Sequence, residues 1–378
     1  MMEALLNTEL TQYHQRLHAK MAAFAGFEMP IQYTTVKEEV CSVRSGVGVF
    51  DVSHMGEFFI EGNDAVALAD YLVTNDIKGA GEGRAIYSPL CREDGTVVDD
   101  LIVYKLRKDK VLLCVNAGNM QKDWQHIQRI KNATTFSAQI YDRSSDYSLL
   151  AIQGPKAVEA LTMAGVLGTS DEMEFSYYSV REVKFDGVDL IVARTGYTGE
   201  DGFEVFCDHR TVVKLWERLM AQGVTPCGLA ARDILRLEVC YPLYGHELSD
   251  ELTPFDSGLK WTVKFHDRNF VGKEVLQQVV PRFQIIRLSL QGGIPRQGHP
   301  VEIMRSTEGG VDVVGQVTSG TLSPTINKGI ALALVEKSKI EIFNSKNGGK
   351  HTQYSIIIRD KRHLVDYHDK AFITGGHK

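Results

Sequence analysis

The 378-residue sequence has few features that would tie it to metal, membrane or nucleic acid. Its six cysteines are scattered, without a Cys-x-x-Cys pair or a companion histidine at metal-ligand spacing, so we predict reduced core thiols and no metal site. No apolar run approaches the ~18 residues of a membrane span, and the first twenty residues lack the apolar core of a signal peptide. The net charge of -6 argues against nucleic acid. We expect a cytoplasmic protein that binds neither nucleic acid nor membrane.

Hydrophobic residues make up 43% of the chain, enough for the cores of two or three domains. Helical and strand periods mix along the sequence, which indicates an α+β fold. The predicted helices lie near 8–23, 64–72, 122–131, 156–165, 211–221 and from 229 up to Pro242. The predicted strands include 56–60, a hairpin over 85–106, 111–115 and 147–154, with irregular structure at 24–33.

The character of the sequence changes near residue 280. From Phe283 onward, short strand-like runs alternate with glycine and proline turns and little helix is expected. We therefore divide the chain into a first region of mixed α/β structure, 1–280, and a small antiparallel β-barrel, 281–378.

Two adjacent carboxylates stand in the middle of a predicted strand, "GTVVDDLIVYKL". Because side chains alternate between the faces of a strand, Asp99 and Asp100 point in opposite directions, and neither face is polar. A charge among apolar neighbours is costly unless it is paired, hydrogen-bonded or facing a pocket. A structural ion pair and a ligand-binding role are both open at this point.

The stretch "ARTGYTGEDGFEVF" places Glu204 between Phe203 and Val205 in a strand, after a glycine-rich loop. A strand rather than a helix follows the glycines, so a phosphate cradle is excluded and a tight hairpin loop is expected. In the helix after Gly228, Arg236 can pair with Asp233, whereas Arg232 has no acid three or four residues away. Arg232 is therefore either a solvated arginine or a partner for a distant carboxylate or a ligand. No serine lies in a Gly-x-Ser-x-Gly elbow.

Eight ordered blocks resemble the T-protein family of the glycine cleavage system, from about residue 10 to about residue 370. They are "FAGFEMPIQY", "GVFDVSHMGEFFIEG", "AIYSPL", "GTVVDDLIVYKL", "VNAGNMQKDWQHI", "RTGYTGEDGFEVF", "GLAARDILRLEVCYPLYGHEL" and "GQVTSGTLSPTINKGIALALV". The resemblance implies a three-domain cloverleaf: two mixed α/β domains with antiparallel sheets, built from interleaved segments, and a C-terminal antiparallel β-barrel.

The resemblance also implies an activity. An aminomethyl group on the dihydrolipoyl arm of the lipoylated H-protein would pass its one-carbon unit to tetrahydrofolate, releasing ammonia and giving methylenetetrahydrofolate. Position by position, it implies Asp99 as the essential carboxylate and Glu204 as the acid at the pterin edge. The other implied folate-site residues are Arg232, Tyr197, Tyr87, Asn116 and Met55. The last residues lack the family's usual Pro-Phe pattern, so no tail residue is assigned.

Relatives with other functions are the alternatives. The iron-sulfur maturation proteins of this superfamily carry a Lys-Gly-Cys-Tyr-x-Gly-Gln signature that is absent here, and the flavin-linked dehydrogenases need a further domain. The folate-dependent demethylases tend to depart from the Asp-Asp block that is intact here. A non-enzymatic folate-binding protein is the other class, and retention of Asp99, Glu204 and Arg232 disfavours it.

Overall fold

A computed structural model describes residues 4–168, 175–304, 311–340, 353–374 and Gly376. Three large sheets and one small hairpin organise these residues. The described α-helices are α1 (Thr11–Arg16), α2 (Val36–Ser45), α3 (Ala65–Leu72), α4 (Met120–Asn132), α5 (Ala157–Ala164), α6 (His209–Ala221), α7 (Leu229–Glu238) and α8 (Lys273–Leu276). Short 3-10 turns occur at Ala117–Asn119, Ser144–Asp146 and Lys260–Thr262.

The first large sheet is antiparallel and has five strands in the order β5-β6-β7-β4-β8. Its strands are β4 (Gly56–Glu61), β5 (Arg84–Cys91), β6 (Val97–Arg107), β7 (Lys110–Val115) and β8 (Gln139–Asp142). Helices α3 and α4 cover one face, where leucine, isoleucine and valine side chains form a buried core. The opposite face packs on the second sheet through Phe59, Tyr104 and Leu112.

The second sheet has six strands in the order β10-β11-β12-β9-β3-β13. Its strands are β3 (Gly48–Asp51), β9 (Ser148–Gln153), β10 (Val180–Phe185), β11 (Val188–Ala193), β12 (Gly202–Cys207) and β13 (Thr225–Pro226). Strand β3 precedes the whole first sheet in the chain, yet it pairs with β9 of the second sheet. The two mixed α/β units are thus built from interleaved segments, as the resemblance implied.

The third sheet confirms the predicted β-rich C-terminal region. It has seven antiparallel strands in the order β19-β18-β15-β16-β17-β14-β20, curled around one apolar core. They are β14 (Phe283–Leu290), β15 (Pro300–Met304), β16 (Val311–Ser323), β17 (Lys328–Glu336), β18 (Gln353–Ile358), β19 (Lys361–Leu364) and β20 (Asp366–His368). Parts of the predicted region 281–378 lie outside the described residues, and the boundary at 280 stays a prediction.

The N-terminal prediction was wrong in part. The helix expected near 8–23 spans only Thr11–Arg16, and the segment expected to be irregular forms a hairpin of β1 (Lys20–Phe24) and β2 (Phe27–Gln32). Ala25 and Gly26, with φ of 48° and 86°, make the two-residue turn between these strands. The usual sequence signal of such a turn is Asn-Gly or Asp-Gly, and Ala-Gly is not a recognised signal. The other predicted helices and strands are confirmed to within a few residues, although α7 ends before Pro242.

Candidate functional site

The candidate site lies on the face of the first sheet that looks toward the second sheet. Tyr87, Asp100 and Tyr104 share this face, since the Tyr87 hydroxyl donates to Asp100 Oδ2 over 2.9 Å and Tyr104 packs in the core between the sheets. Asp99 points the other way, toward α4. The alternation inferred from the sequence is therefore confirmed, and it separates Asp99 from Tyr87.

Asp100 is a partly exposed carboxyl group with several polar neighbours. Besides Tyr87, it has the amide of Asn116, whose Nδ2 lies 3.2 Å from Asp100 Oδ1 and 2.9 Å from its backbone oxygen. Burial and the adjacent Asp99 carboxylate raise the pKa of Asp100 to about 7. A carboxyl group with such a pKa can accept and return a proton near neutral pH.

Glu204 enters from the second sheet, in β12, and is 6% exposed. Its Oε2 accepts two short hydrogen bonds, from Tyr104 over 2.9 Å and from Thr195 over 2.6 Å. The Tyr104 contact joins the two sheets at the site. These donors satisfy one carboxylate oxygen and hold the group in place for contact with a ligand.

Tyr197 and Arg232 form a third part of the site. The guanidinium carbon of Arg232 lies 5.0 Å above the centre of the Tyr197 ring, and the Tyr197 hydroxyl donates to the backbone oxygen of Pro242. Arg232 Nη1 is buried and has no hydrogen-bond partner among the residues that the structure describes. A buried guanidinium N–H without an acceptor is costly, so this atom is suited to an acceptor on a ligand.

Glycines bring the Tyr197 loop close to its neighbours. Gly199 has a φ of 78°, and a Cβ added there would lie 2.2 Å from Cγ1 of Val239. At Gly196 an added Cβ would lie 2.0 Å from Oε1 of Gln153. The loop is thus the hairpin connection predicted between β11 and β12, and its glycines allow the close packing that positions Tyr197.

The remaining predicted residues are divided between two places. Met55 is half-buried and packs against the core between the first two sheets. Asn116 bridges the faces, because its Nδ2 also lies 2.9 Å from Asp99 Oδ1. Asp99 is 0% exposed and accepts hydrogen bonds from the segment that precedes α4. Tyr87 and Asn116 thus contact Asp100, Tyr104 links their sheet face to Glu204, and Arg232 lies over the Tyr197 ring. Asp99 lies on the opposite face of β6.

Sequence reasoning missed three residues around the site. Tyr104 follows Asp100 by four positions, on the same face of β6, so the alternation could have found it. Trp261 stacks beside Tyr87, with ring centres 6.0 Å apart, and is 59% exposed. Asp123 occupies a position on the buried stripe of α4 with Ile127 and Ile130, where an acid is unusual.

The described residues contain no group of three or more acids, histidines and cysteines that could hold a metal ion. Within the same residues, no helix is long and apolar enough to cross a membrane. A surface cavity of about 500 Å³ lies elsewhere, between residues 245–252 and strands β14, β16 and β17. It is lined by none of the residues above, so the chemistry of the central residues, rather than cavity size, defines the candidate site.

Two family models match consecutive parts of the chain. The GCVT N-terminal domain matches residues 10–267, and the glycine cleavage T-protein C-terminal barrel domain matches residues 284–373. The chain belongs to the glycine cleavage T-protein family. Members of this family in the comparisons below are aminomethyltransferases, and the fold described above has the family's mixed α/β units and barrel.

Similar proteins span most or all of the chain. An aminomethyltransferase of Thermotoga maritima is 44% identical over 88% of this chain and 90% of its own length. One from Symbiobacterium thermophilum is 43% identical over all of both chains. The crystal structure of the glycine cleavage system aminomethyltransferase T from Bartonella henselae is 31% identical, covers 99% of both chains and superimposes with a TM-score of 0.86.

Proposed function

We propose that this T-protein family member passes the one-carbon unit of an aminomethyl group, carried on the dihydrolipoyl arm of H-protein, to tetrahydrofolate. The single observation that supports this most directly is the buried Arg232 Nη1, which lacks a partner in the described part of the chain. The two acids of the candidate site are Asp100, which shares its sheet face with Tyr104, and Glu204, which accepts a hydrogen bond from Tyr104. One proton-accepting acid, one fixed acid and one unsatisfied cation suit a ligand rich in N–H groups and carboxylates, as a folate is.

The bonds and protons of this reaction balance without an oxidant or a metal ion. Two C–N bonds form, to N5 and N10 of tetrahydrofolate, while the C–S bond to the lipoyl arm and the C–N bond to the amino group break. The two protons lost from the folate nitrogens are taken up by the lipoyl thiol and by ammonia. A group that accepts a proton from a folate nitrogen and passes it to a leaving group would therefore assist both bond formation and departure.

We assign that proton transfer to Asp100, although the family resemblance pointed to Asp99. Asp100 shares its sheet face with Tyr87 and is partly exposed, whereas Asp99 is 0% exposed. A pKa of about 7 suits a group that must both accept and release a proton near neutral pH. The catalytic role of Asp99 stays a prediction, which turnover of Asp99→Asn and Asp100→Asn tests.

Glu204 and Arg232 have binding roles in this proposal. The amino-pyrimidinone edge of a pterin presents N–H donors, which a carboxylate oxygen can accept. Glu204 is fixed by Tyr104 and Thr195 and is suited to this edge. Arg232 Nη1 would donate to an oxygen of the folate, while Tyr197, Met55, Tyr87 and Asn116 line the folate.

The test is to incubate the purified chain with aminomethylated H-protein and tetrahydrofolate. The proposal expects stoichiometric ammonia and methylenetetrahydrofolate, with neither formed when the folate is omitted. Turnover of a sulfonium compound such as dimethylsulfoniopropionate, without turnover of H-protein, would instead favour a folate-dependent demethylase. Folate binding without turnover of either would favour the non-enzymatic class.

A further inference from the structure

A second pair of acids lies directly behind the site, between β6 and α4. Asp99 accepts a hydrogen bond from the backbone N–H of Asn116 over 3.1 Å, one from Asn116 Nδ2 over 2.9 Å and one from Asn119 Nδ2 over 2.5 Å. Asp123 of α4 is also 0% exposed. Neither oxygen of the Asp123 carboxyl group receives an N–H or a hydroxyl donor from the described residues.

The Asp123 carboxyl group nevertheless faces the Asp99 carboxyl group and interacts with it as a side-chain hydrogen-bond partner. Two ionised carboxylates only accept, so this contact is a hydrogen bond only if one of them carries a proton. Burial raises the pKa of both carboxyl groups. The three N–H donors at Asp99 oppose this effect and favour its ionised form, whereas Asp123 has no donor that would favour its own. The proton therefore belongs to Asp123, which donates to Asp99.

The surroundings agree with this assignment. Burial and the Asp99 charge raise the pKa of Asp123 to about 11. The charge of Lys122 lowers the pKa of Asp123, but the Lys122 Nζ donates to the Tyr244 hydroxyl over 2.7 Å and lies 3.3 Å from Asp250. Asp100, Cys114 and Tyr244 are among the other titratable groups of the described residues that interact with the pair.

We propose that Asp123 is a positioning residue for aminomethyl transfer, holding the proton of a buried acid pair so that one negative charge stays fixed at Asp99, behind Asp100. Asp99 fixes Asn116, and Asn116 Nδ2 in turn contacts Asp100 Oδ1 at 3.2 Å. The charge at Asp99 repels a second charge at Asp100, so Asp100 keeps its proton up to neutral pH. This inference rests on the proposed role of Asp100.

The first test is stability against pH, which needs no activity. Asp123→Asn keeps an N–H donor to Asp99 but has no proton to lose, so its urea midpoint should rise relative to wild type as pH increases from about 5 to about 9. The reason is that wild type must hold a proton that the unfolded chain releases. Asp123→Leu, which lacks the donor, should lower the midpoint throughout. A similar loss for Asp123→Asn at every pH would mean that Asp123 is ionised, and would overturn the pair.

The wild-type protein gives a second readout if the variants do not fold. Infrared difference spectra of protein with ¹³C-labelled aspartate should show, at about pH 8, the carbonyl stretch of a protonated carboxylic acid. Absence of that band would contradict a proton on Asp123.

The third test links the pair to catalysis through the pH dependence of kcat. The acid limb, which reports the ionisation of Asp100, should move down by about one pH unit or more in Asp99→Asn, because the like charge beside Asp100 is gone. In Asp123→Asn the limb should stay within a few tenths of a unit. If the acid limb of Asp99→Asn stays where it is in wild type, the acid pair has no effect on Asp100, and the positioning role is overturned. If wild type transfers no aminomethyl group, the proposed function fails, while the urea and infrared results still decide where the proton lies.

Discussion

The acids of the site differ in the donors that reach them. Glu204 receives two hydroxyl donors, Asp99 receives three N–H donors, and Asp100 receives one hydroxyl and one amide. Donors favour the ionised form of a carboxyl group and burial opposes it. Adjacent residues of one strand can therefore hold different charges at neutral pH, and each acid has its own experimental signature.

Glu204→Gln tests the fixed acid. The amide keeps the size of the side chain but accepts without a full charge, and its NH₂ group would face donors, so tetrahydrofolate binding should weaken by roughly 1.5–3 kcal/mol. Isothermal titration calorimetry measures this directly. Glu182→Gln is the matched control, because Glu182 is an exposed acid paired with Arg107 at the far edge of the second sheet. Equal affinity of wild type and Glu204→Gln would remove Glu204 from the site.

The raised pKa of Asp100 predicts a pH-dependent stability difference. The folded state holds the Asp100 proton up to about pH 7, whereas an unfolded aspartate releases it near pH 4, so this group's contribution to stability falls as pH rises through that window. The urea midpoint of Asp100→Asn should therefore rise relative to that of wild type from about pH 5 to about pH 7, and the difference should be constant above about pH 7. If the midpoint of Asp100→Asn instead fell relative to that of wild type as pH rises, the folded state would favour the ionised form of Asp100.

The sequence predicted the faces of these acids, while their roles stay predictions. Strand alternation correctly put Asp99 and Asp100 on opposite faces, but both faces are lined by apolar residues, so alternation could not tell which face meets the second sheet. No motif in the sequence marks Asp123, which lies on the buried stripe of α4. Its partner, Asp99, is 24 positions earlier in the chain and becomes its neighbour only through packing.

At the scale of elements, the loop between β11 and β12 determines where Tyr197 lies. Gly199→Ala should destabilise the protein by about 1–3 kcal/mol and weaken folate binding, since the added methyl group meets Val239 at 2.2 Å and the backbone has a φ of 78°. Urea midpoints and tetrahydrofolate affinity are the measurements.

Gly187→Ala is the control for this prediction. Gly187 turns between β10 and β11 with a φ of 83°, and an added Cβ would meet nothing within 4 Å. It therefore carries the backbone strain without the collision and lies away from Tyr197. If both variants lose the same stability and bind folate alike, the close packing at Gly199 has no part in positioning the site.

Helices and strands were predictable where the hydrophobic pattern continued over many residues and where the turn had a common sequence such as Asp-Gly. The Asp94-Gly95 turn placed the β5–β6 hairpin correctly, with Gly95 at a φ of 81°. The Ala25-Gly26 turn carries no such signal, and β1 is almost wholly exposed, so neither turn nor alternation revealed the first hairpin. The end of α7 before Pro242 also had no sequence signal, because it follows from a positive φ of 61° at Cys240.

At the scale of the whole molecule, Arg236 of α7 forms a buried ion pair with Glu247 and a hydrogen bond to the barrel. Arg236 is 1% exposed; its Nη1 lies 3.1 Å from Glu247 Oε2 and its Nη2 donates to the Ser319 hydroxyl of β16 over 2.8 Å. Arg236→Met would leave the Glu247 charge buried without its partner and should destabilise the protein by about 3–5 kcal/mol. Thermal and urea unfolding measure the loss.

The double variant Arg236→Met/Glu247→Gln removes both charges. It should recover part of that stability, because the desolvated carboxylate that the single variant strands is absent. A double variant that is less stable than Arg236→Met would show that Glu247 stabilises the barrel contact by other means, such as its hydrogen bond from Thr318.

The proton-accepting role of Asp100 is the central claim, and turnover of two neighbouring variants tests it most directly. Ammonia release from aminomethylated H-protein with saturating tetrahydrofolate should fall by about a hundredfold or more in Asp100→Asn, because the amide cannot accept a proton. Asp99→Asn should lose far less at a pH above its acid limb. The opposite order, with a folded and active Asp100→Asn and an inactive Asp99→Asn, would contradict the assignment and return the catalytic role to Asp99.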